Sequence, residues 1–141
     1  MYLIGDIGNS EIKICLVSKK NKIFKRINFS TLDISKKNLD IYLKPFTNHF
    51  PKIEKKIFCS VVPNAFELIK KFLAKKINSR CFEIKQLNLS TIIKIKVNYK
   101  QVGSDRLTNA ISVVDNKKNF IIIDFGTATT FDILVKNIYK G

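Results

Sequence analysis

The sequence is poor in cysteine and histidine. Its three cysteines, Cys15, Cys59 and Cys81, are odd in number and far apart, which argues against a disulfide framework and against a CxxC metal site. The single histidine, His49, has no second histidine or cysteine at ligand spacing. We therefore expect buried free thiols and assign no role to His49.

Long apolar runs are also missing. The 141 residues are 45% hydrophobic, which excludes a disordered chain, yet charges interrupt every apolar segment. No segment approaches the roughly 18 continuous apolar residues that a membrane-spanning helix needs. The N-terminus reaches Asp6 without a basic region or a small-residue cleavage site, unlike a signal peptide. We expect a soluble cytoplasmic protein with no membrane partner.

Acidic residues are scarce relative to basic ones. The chain has 26 Lys and Arg against 11 Asp and Glu, a formal net charge of +15. Such a charge favours binding to phosphate backbones, but all but three of the basic residues are lysines, scattered along the chain and often in doublets such as Lys55 and Lys56, as on solvated surfaces. A nucleic-acid-binding module is therefore the less favoured alternative. It predicts binding that depends steeply on salt and is indifferent to changes at Asp6 or Asp124.

The apolar pattern predicts an α/β chain in which a three-strand meander precedes strand-to-helix crossovers. We expect residues 30–51 to be mixed loop and helix, residues 90–98 to be extended, and Ser104 to be an N-cap. The predicted strands lie at residues 2–7, 11–17, 22–29, 56–62, 81–84, 120–123 and 130–135, and the clearest helices follow Pro63 and Ser104.

An internal repeat is the most informative feature. A shift of 118 residues places residues 2–10 on residues 120–128, so each copy has an apolar strand, an Asp, one residue, a Gly and a returning strand. The glycine lets backbone amides approach an anion, and the carboxylates of Asp6 and Asp124 suit Mg²⁺ bound between protein and phosphate. We favour a two-sided clamp on a nucleotide with Mg²⁺; the alternative is two ordinary hairpin turns.

Asp105 forms a third acidic element, in the first turn of a predicted helix. Two roles are open for Asp105. It would either stabilise the helix N-terminus, which is the common role of an acid there, or belong to a functional site. Asp6, Asp105, Asp124 and Asp132 each lie in a motif at the end of an element. A cluster of these carboxylates would repel itself and would imply bound cations.

With these residues identified, the chain resembles the type III pantothenate kinases, within the superfamily of acetate and sugar kinases, Hsp70 and actin. The resemblance implies a ribonuclease H-like (actin-like ATPase) α/β fold, with residues 1–117 as the first lobe and residues 118–141 as the opening β-hairpin of the second. Four matching motifs occur in the expected order: residues 6–13 (first phosphate loop), 60–63, 103–106 and 124–132 (second phosphate loop).

The resemblance also implies ATP-dependent phosphorylation of pantothenate to 4'-phosphopantothenate, the first step of coenzyme A biosynthesis, in a homodimer that uses Mg²⁺ and K⁺ or NH₄⁺. It assigns Asp105 as catalytic base, Asp124 to the monovalent cation and Asp6 to Mg²⁺ through ATP. The implied ATP-binding residues are Asp6, Ile7, Gly8, Asn9, Ser10, Glu11, Ile12, Lys13 and Thr127, and the implied substrate-binding residues are Lys96, Gly103, Ser104, Asp105 and Arg106.

Two departures from the family qualify this assignment. Lys96 and Tyr99 stand where the family usually has the Tyr and Pro of Tyr-x-Asn-Pro, so Lys96 would meet the substrate carboxylate as a flexible charge. Family members also run far beyond residue 141, so the chain amounts to about half a kinase and leaves residues 120–123 as an apolar strand without its sheet. The alternative function is an inactive relative that binds nucleotide or a partner, like a transcriptional accessory factor.

Overall fold

The computed structural model describes all 141 residues and divides into two compact units, Met1–Glu83 and Ile84–Gly141. The first unit contains a five-stranded sheet of order β3-β2-β1-β4-β5, in which β1, β2 and β3 are antiparallel neighbours and β1, β4 and β5 are parallel ones. Its elements are β1 (Tyr2–Ile7), β2 (Glu11–Val17), β3 (Ile23–Ser30), α1 (Lys36–Leu43), a 3₁₀ segment (Lys44–Lys52), β4 (Lys55–Ser60), α2 (Pro63–Ala74) and β5 (Cys81–Glu83).

One apolar core holds the first unit together. In β2 the alternate residues Ile12, Ile14 and Leu16 are fully buried, as expected for a strand with one face against the core. Helix α2 begins with Pro63 at its N-terminus, where a missing backbone N–H costs nothing, and buries Ile69 and Leu73 in the same core. The predicted meander and the strand-to-helix crossover are both confirmed.

Lys56 departs from the expectation that lysine doublets mark solvated surfaces. Lys55 is exposed, but Lys56 is fully buried and its Nζ donates a hydrogen bond of 2.9 Å to the carbonyl oxygen of Ile77. Burial lowers the pKa of Lys56. The reason is geometric, because successive side chains of a strand point to opposite faces, so a doublet in β4 sends one member inward.

The second unit is a smaller sheet of order β6-β9-β8-β7 with one helix. Two sequence expectations fail in it. Residues 90–98 are not one extended run, because Asn88 accepts a hydrogen bond from the Ser90 amide and begins a 3₁₀ turn. Gly103, not Ser104, is the N-cap of the helix. The elements are two 3₁₀ turns (Ile84–Gln86 and Leu89–Thr91), β6 (Lys94–Ile95), α3 (Ser104–Ser112), β7 (Asn119–Phe125), β8 (Thr129–Val135) and β9 (Ile138–Tyr139).

The compact units divide at residues 83 and 84, whereas the family resemblance places a lobe boundary at residues 117 and 118. The physical reason is that α3 shares its core with the C-terminal strands. Leu107 and Ala110 of α3 are fully buried in one cluster with Leu134 and Tyr139. The assignment of residues 1–117 and 118–141 to two lobes remains a prediction about the family architecture.

Strand β7 differs from the buried strand expected at residues 120–123. Its side chains alternate, so Phe120 and Ile122 are partly buried while Ile121 and Ile123 are exposed. The chain therefore covers only one face of this strand. Among the helices, the longest has 12 residues, and none has the length and apolar character of a membrane span.

Gly5 tests the packing of the first unit. A Cβ added to Gly5 would overlap the ring of Phe58, which is fully buried, and would lie 3.3 Å from the carbonyl oxygen of Lys13. We expect Gly5→Ala to lower the free energy of unfolding by about 1–3 kcal/mol or more. Urea unfolding followed by circular dichroism measures the loss.

Gly126→Ala is the matched control, because its Cβ would meet only the carbonyl oxygen of Ala128, at an ordinary 3.7 Å. A Gly5→Ala protein with the unfolding midpoint of the native protein would contradict the packing described here.

Candidate functional site

The first predicted phosphate loop is a tight turn between β1 and β2. The Gly8 amide donates a hydrogen bond to the carbonyl oxygen of Glu11 at 3.0 Å. Thr31 supports the turn, since its Oγ1 donates to the carbonyl oxygen of Gly8 at 2.8 Å and its amide donates to that of Ser10 at 3.0 Å. Asn9 and Ser10 at the tip are exposed. The loop is thus held in shape by the protein itself and presents its tip to solvent.

Two carboxylates flank this loop in different surroundings. Asp6 is half-buried near the end of β1, and the Cys59 thiol donates a hydrogen bond of 3.3 Å to its Oδ1. Glu11 accepts a hydrogen bond of 2.6 Å from Asn28 Nδ2 and forms an ion pair of 3.3 Å with Lys13. The Asn28 hydrogen bond, followed by Lys13, lowers the pKa of Glu11. Lys13 and Glu11, both assigned to ATP by the resemblance, are therefore paired with each other.

The second predicted loop joins β7 to β8. Within it the Gly126 amide donates a hydrogen bond to the carbonyl oxygen of Ala128 at 3.3 Å, and Thr127 is exposed. Helix α3 contributes a further contact, because Asn109 Nδ2 donates a hydrogen bond to Asp124 Oδ2 at 3.0 Å. This bond leaves Asp124 Oδ1 available, and Asp124 is half-buried.

Residues 103–106 form the beginning of α3. Gly103 is the N-cap, Ser104 is buried, and Asp105 lies in the first turn. Asp105 Oδ1 accepts a hydrogen bond of 2.8 Å from the Arg106 amide, an arrangement that suits an acid at a helix N-terminus. Its second carboxylate oxygen is outside this bond.

Arg106 is held by a buried carboxylate. Its Nε donates to Asp132 at 2.9 and 3.1 Å, and its Nη2 forms an ion pair of 2.6 Å with Asp132 and donates to the Phe131 carbonyl oxygen. The Tyr139 hydroxyl donates to the same carboxylate, and Asp132 is fully buried. Burial, followed by Asp132, raises the pKa of Tyr139, and the bond to Asp132 raises that of Arg106. This network corrects the placement of Asp132, which lies inside β8 rather than at an element's end.

Within the second unit, the structure brings several motif residues onto neighbouring elements. Asp105, Arg106 and Asn109 lie on α3, and the last two bind Asp132 and Asp124 of the hairpin. No group of three or more His, Cys, Asp or Glu side chains is assembled to hold a metal ion, so neither unit by itself forms the expected carboxylate cluster. Residues 6–13 belong to the first unit, and their part in a common site stays a prediction.

The grooves of the surface do not coincide with the motifs. Lys96 is exposed and lines a groove of about 500 Å³ together with Ser90, Lys94 and Tyr99, and none of residues 103–106 lines it. A second groove, of about 860 Å³, lies between α1 and α2, and no motif residue lines it. Both grooves are open to solvent, and neither gathers the carboxylates of the motifs.

Sequence reasoning missed four partners of the site residues. Cys59 at Asp6 and Thr31 at Gly8 come from distant parts of the chain, so spacing gives no signal for them. Asn109 had a signal, because helical spacing from Asp105 places both on α3. Tyr139 had none, because its contact with Asp132 depends on how β8 pairs with β9.

Comparison with known proteins gives one consistent family. The model of the family described as type III pantothenate kinase matches residues 2–141. The type III pantothenate kinase of Pelagibacter ubique strain HTCC1062 is 55% identical over 141 residues, which are 100% of this chain and 57% of that protein. The type III pantothenate kinase of Sulfurihydrogenibium sp. strain YO3AOP1 is 35% identical over 147 residues, covering 97% of this chain and 56% of that protein. The chain thus spans little more than half the length of these curated relatives.

Solved structures agree on the fold. A protein from Porphyromonas gingivalis described as an N-acetylglucosamine kinase superposes with a TM-score of 0.54 at 15% identity, over 99% of this chain and 46% of its own. One from Sinorhizobium meliloti described as a 2-dehydro-3-deoxygalactonokinase gives 0.57 at 12% identity, over 100% of this chain and 52% of its own. At such identities the likeness concerns the fold alone, and it confirms the expected α/β fold of the actin-like ATPases.

The buried ion pair is tested by Asp132→Asn, which keeps the shape of the side chain but removes its charge. We expect a loss on the order of 3 kcal/mol in the free energy of unfolding of the second unit, because Arg106 and Tyr139 lose a charged acceptor. Urea unfolding measures this loss. Asp115→Asn is the control, because the ion pair of Asp115 with exposed Lys118 is 3.9 Å long and contributes little. Equal effects of the two substitutions would refute the dependence on Asp132.

The raised pKa of Tyr139 predicts a loss of stability at alkaline pH. Its pKa is raised above the ordinary value of 10.0, so the folded state holds the phenolic proton more firmly than the unfolded state does. The resulting stability is complete below about pH 10 and declines as the pH rises further. We expect the urea midpoint of the second unit to fall less between pH 8 and pH 10.5 in Tyr139→Phe than in the native protein. An equal fall in both would be the contrary result.

Proposed function

Because the chain belongs to the type III pantothenate kinase family, we propose that it forms the N-terminal part of a pantothenate kinase, an enzyme that transfers a phosphoryl group from ATP to pantothenate. The observation that carries the proposal is the family match over residues 2–141, a range that includes both predicted phosphate loops. The product would be 4'-phosphopantothenate, and the reaction would open coenzyme A biosynthesis in the cytoplasm. The complete enzyme would be a homodimer.

The first loop would bind ATP with Mg²⁺. The fit rests on three features: the turn at Gly8 has no side chain, the exposed tip gives phosphates access, and Asp6 offers the oxygen ligand that Mg²⁺ prefers. Bound Mg²⁺ would neutralise charge on the phosphates during transfer. In this proposal residues 6–13 position the nucleotide.

The second loop would bind a monovalent cation, K⁺ or NH₄⁺, at Asp124. The Asn109 amide fixes one carboxylate oxygen and leaves the other available, which suits an oxygen ligand held at a set orientation. The cation would supply positive charge at the second loop. Asn109 joins the candidate residues on this ground.

Residues 103–106, with Lys96, would bind pantothenate, and Asp105 would take the proton of its attacking hydroxyl. One oxygen of Asp105 is bound by the Arg106 amide, which orients the other for the proton. Arg106 would meet the substrate carboxylate through Nη1, because Asp132 and the Phe131 carbonyl engage its Nε and Nη2. Arg106 would therefore bind the carboxylate through one nitrogen and not through the two parallel hydrogen bonds that a free guanidinium can donate.

The alternative function, from a different class, is that of a relative that binds nucleotide without transferring a phosphoryl group. Nucleotide binding that needs Mg²⁺, with no phosphorylated product, would favour it. Phosphorylated pantothenate would exclude it.

Asp105→Asn tests the assignment of the base. We expect formation of phosphopantothenate to fall by at least about a hundredfold, because a positioned base contributes on this scale, while ATP affinity stays within about twofold. Product formation from radiolabelled pantothenate and calorimetric ATP binding are the measurements. Asp115→Asn, outside every motif of the same unit, should retain native turnover. Turnover by Asp105→Asn at the native rate would overturn this role.

Asp6→Asn separates nucleotide binding from the transfer step. We expect it to weaken ATP binding in the presence of Mg²⁺ at least about tenfold and to leave binding unchanged when EDTA removes the metal. Asp33→Asn, an exposed acid of the same unit, is the control. Equal binding by Asp6→Asn and the native chain with Mg²⁺ would remove Asp6 from the metal site.

A further inference from the structure

A short turn leads into helix α3. The Gln101 amide donates a hydrogen bond of 3.0 Å to the carbonyl oxygen of Asn98, which is typical of a β-turn with Tyr99 at its second position. The Val102 amide donates to the same carbonyl oxygen at 3.3 Å. The Lys100 amide donates to Asn98 Oδ1 at 3.1 Å. Three backbone amides of the turn therefore bind one residue, Asn98.

The second position of a β-turn favours proline, because its ring presets the backbone φ angle that the turn requires. The chain has Tyr99 at this position, where the family usually has proline. A tyrosine leaves the φ angle free to vary in the unfolded chain. The order of this turn therefore depends on other contacts.

Lys85 and Tyr99 supply such contacts in both directions. The Tyr99 hydroxyl donates a hydrogen bond of 2.9 Å to the carbonyl oxygen of Lys85, and the Lys85 ammonium lies 5.0 Å from the centre of the Tyr99 ring. Lys85 Nζ also donates to the carbonyl oxygens of Val102 at 2.9 Å and Lys100 at 3.4 Å. We call this pair, Lys85 and Tyr99, the clasp. It binds the turn on both sides of Gln101.

We propose that the clasp positions the start of α3 by fixing residues 98–102, as a proline would at such a turn. The contact is partly shielded from water, because Lys85 and Tyr99 are half-buried and Val102 is buried. A hydrogen bond from an ammonium contributes more in such surroundings than at an open surface. Lys85 and Tyr99 are therefore positioning residues that act through the backbone of the turn.

The consequence for the candidate site rests on the proposed function. Residues 103–106 are held at both ends, by the clasp before Gly103 and by the ion pair of Arg106 with Asp132. A segment that is ordered before its substrate arrives loses less conformational freedom on binding. The clasp would therefore strengthen the binding of pantothenate and leave unchanged the binding of ATP, which the proposal assigns to residues 6–13.

Hydrogen exchange tests the clasp in the chain as it exists. Lys85→Met keeps the length of the side chain and removes its charge. We expect the amides of Lys100, Gln101 and Val102 to exchange at least about tenfold faster, because the turn loses its hydrogen bonds to a charged group. Lys117→Met, which changes an exposed lysine of the same unit, is the matched control and should leave these rates unchanged. Equal rates in the two variants would overturn the proposal.

Tyr99→Phe is a milder variant that removes only the hydroxyl. We expect the same three amides to exchange at least about threefold faster, because a neutral hydrogen bond contributes less than one from an ammonium. Native exchange rates in Tyr99→Phe would contradict the clasp even if Lys85→Met does not fold.

Tyr99→Pro distinguishes positioning from a general effect on stability. Because proline orders the turn without either contact, adding Lys85→Met to Tyr99→Pro should change the exchange of the turn amides by no more than about twofold. An equal effect of Lys85→Met in chains with tyrosine and with proline at residue 99 would be the contrary result.

Calorimetric titration measures the consequence for the site. We expect Lys85→Met to weaken pantothenate binding at least about fivefold, to leave ATP affinity within about twofold, and to regain pantothenate affinity when Tyr99→Pro is added. Equal losses of both affinities would refute the positioning role. Absence of pantothenate binding by the native chain would count against the proposed function, whereas the exchange rates would still decide whether the clasp fixes the turn.

Discussion

The carboxylate of Asp132 is the group on which the second unit depends. It is fully buried, and an unpaired carboxylate in that position would cost several kcal/mol. Arg106 from α3 and Tyr139 from β9 supply the compensating hydrogen bonds. One group therefore joins the helix to two strands.

This interaction shapes the candidate site as well as its stability. Because Asp132 and the Phe131 carbonyl engage Nε and Nη2 of Arg106, the guanidinium has a fixed orientation and one free nitrogen, Nη1. A fixed donor loses little conformational freedom when it binds an anion, whereas exposed Lys96 would lose much more. If both contact one substrate, Arg106 is the group suited to orient it.

The two copies of the repeat show how much local sequence determines. Both predicted hairpins form, because the Asp-x-Gly pattern and the flanking apolar residues specify strand, turn and returning strand. The hydrogen bonds that support the two loops differ. Thr31, in the turn after β3, donates to Gly8 of the first loop, and Asn109 of α3 donates to Asp124 beside the second loop. The sequence predicted the shared element, but the supports depend on tertiary contacts between segments far apart in the chain.

Strand β7 marks the limit of such prediction in an informative way. The run of residues 120–123 is apolar at every position, which is typical of a strand buried on both faces, yet the structure buries only Phe120 and Ile122 in part. The apolar pattern of a strand indicates the surroundings in which that strand is stable. In β7 it predicts that Ile121 and Ile123 are buried, but residues 1–141 leave both side chains exposed. The difference between prediction and structure therefore lies in β7 itself, because the strand has apolar side chains on both faces and only one face is covered.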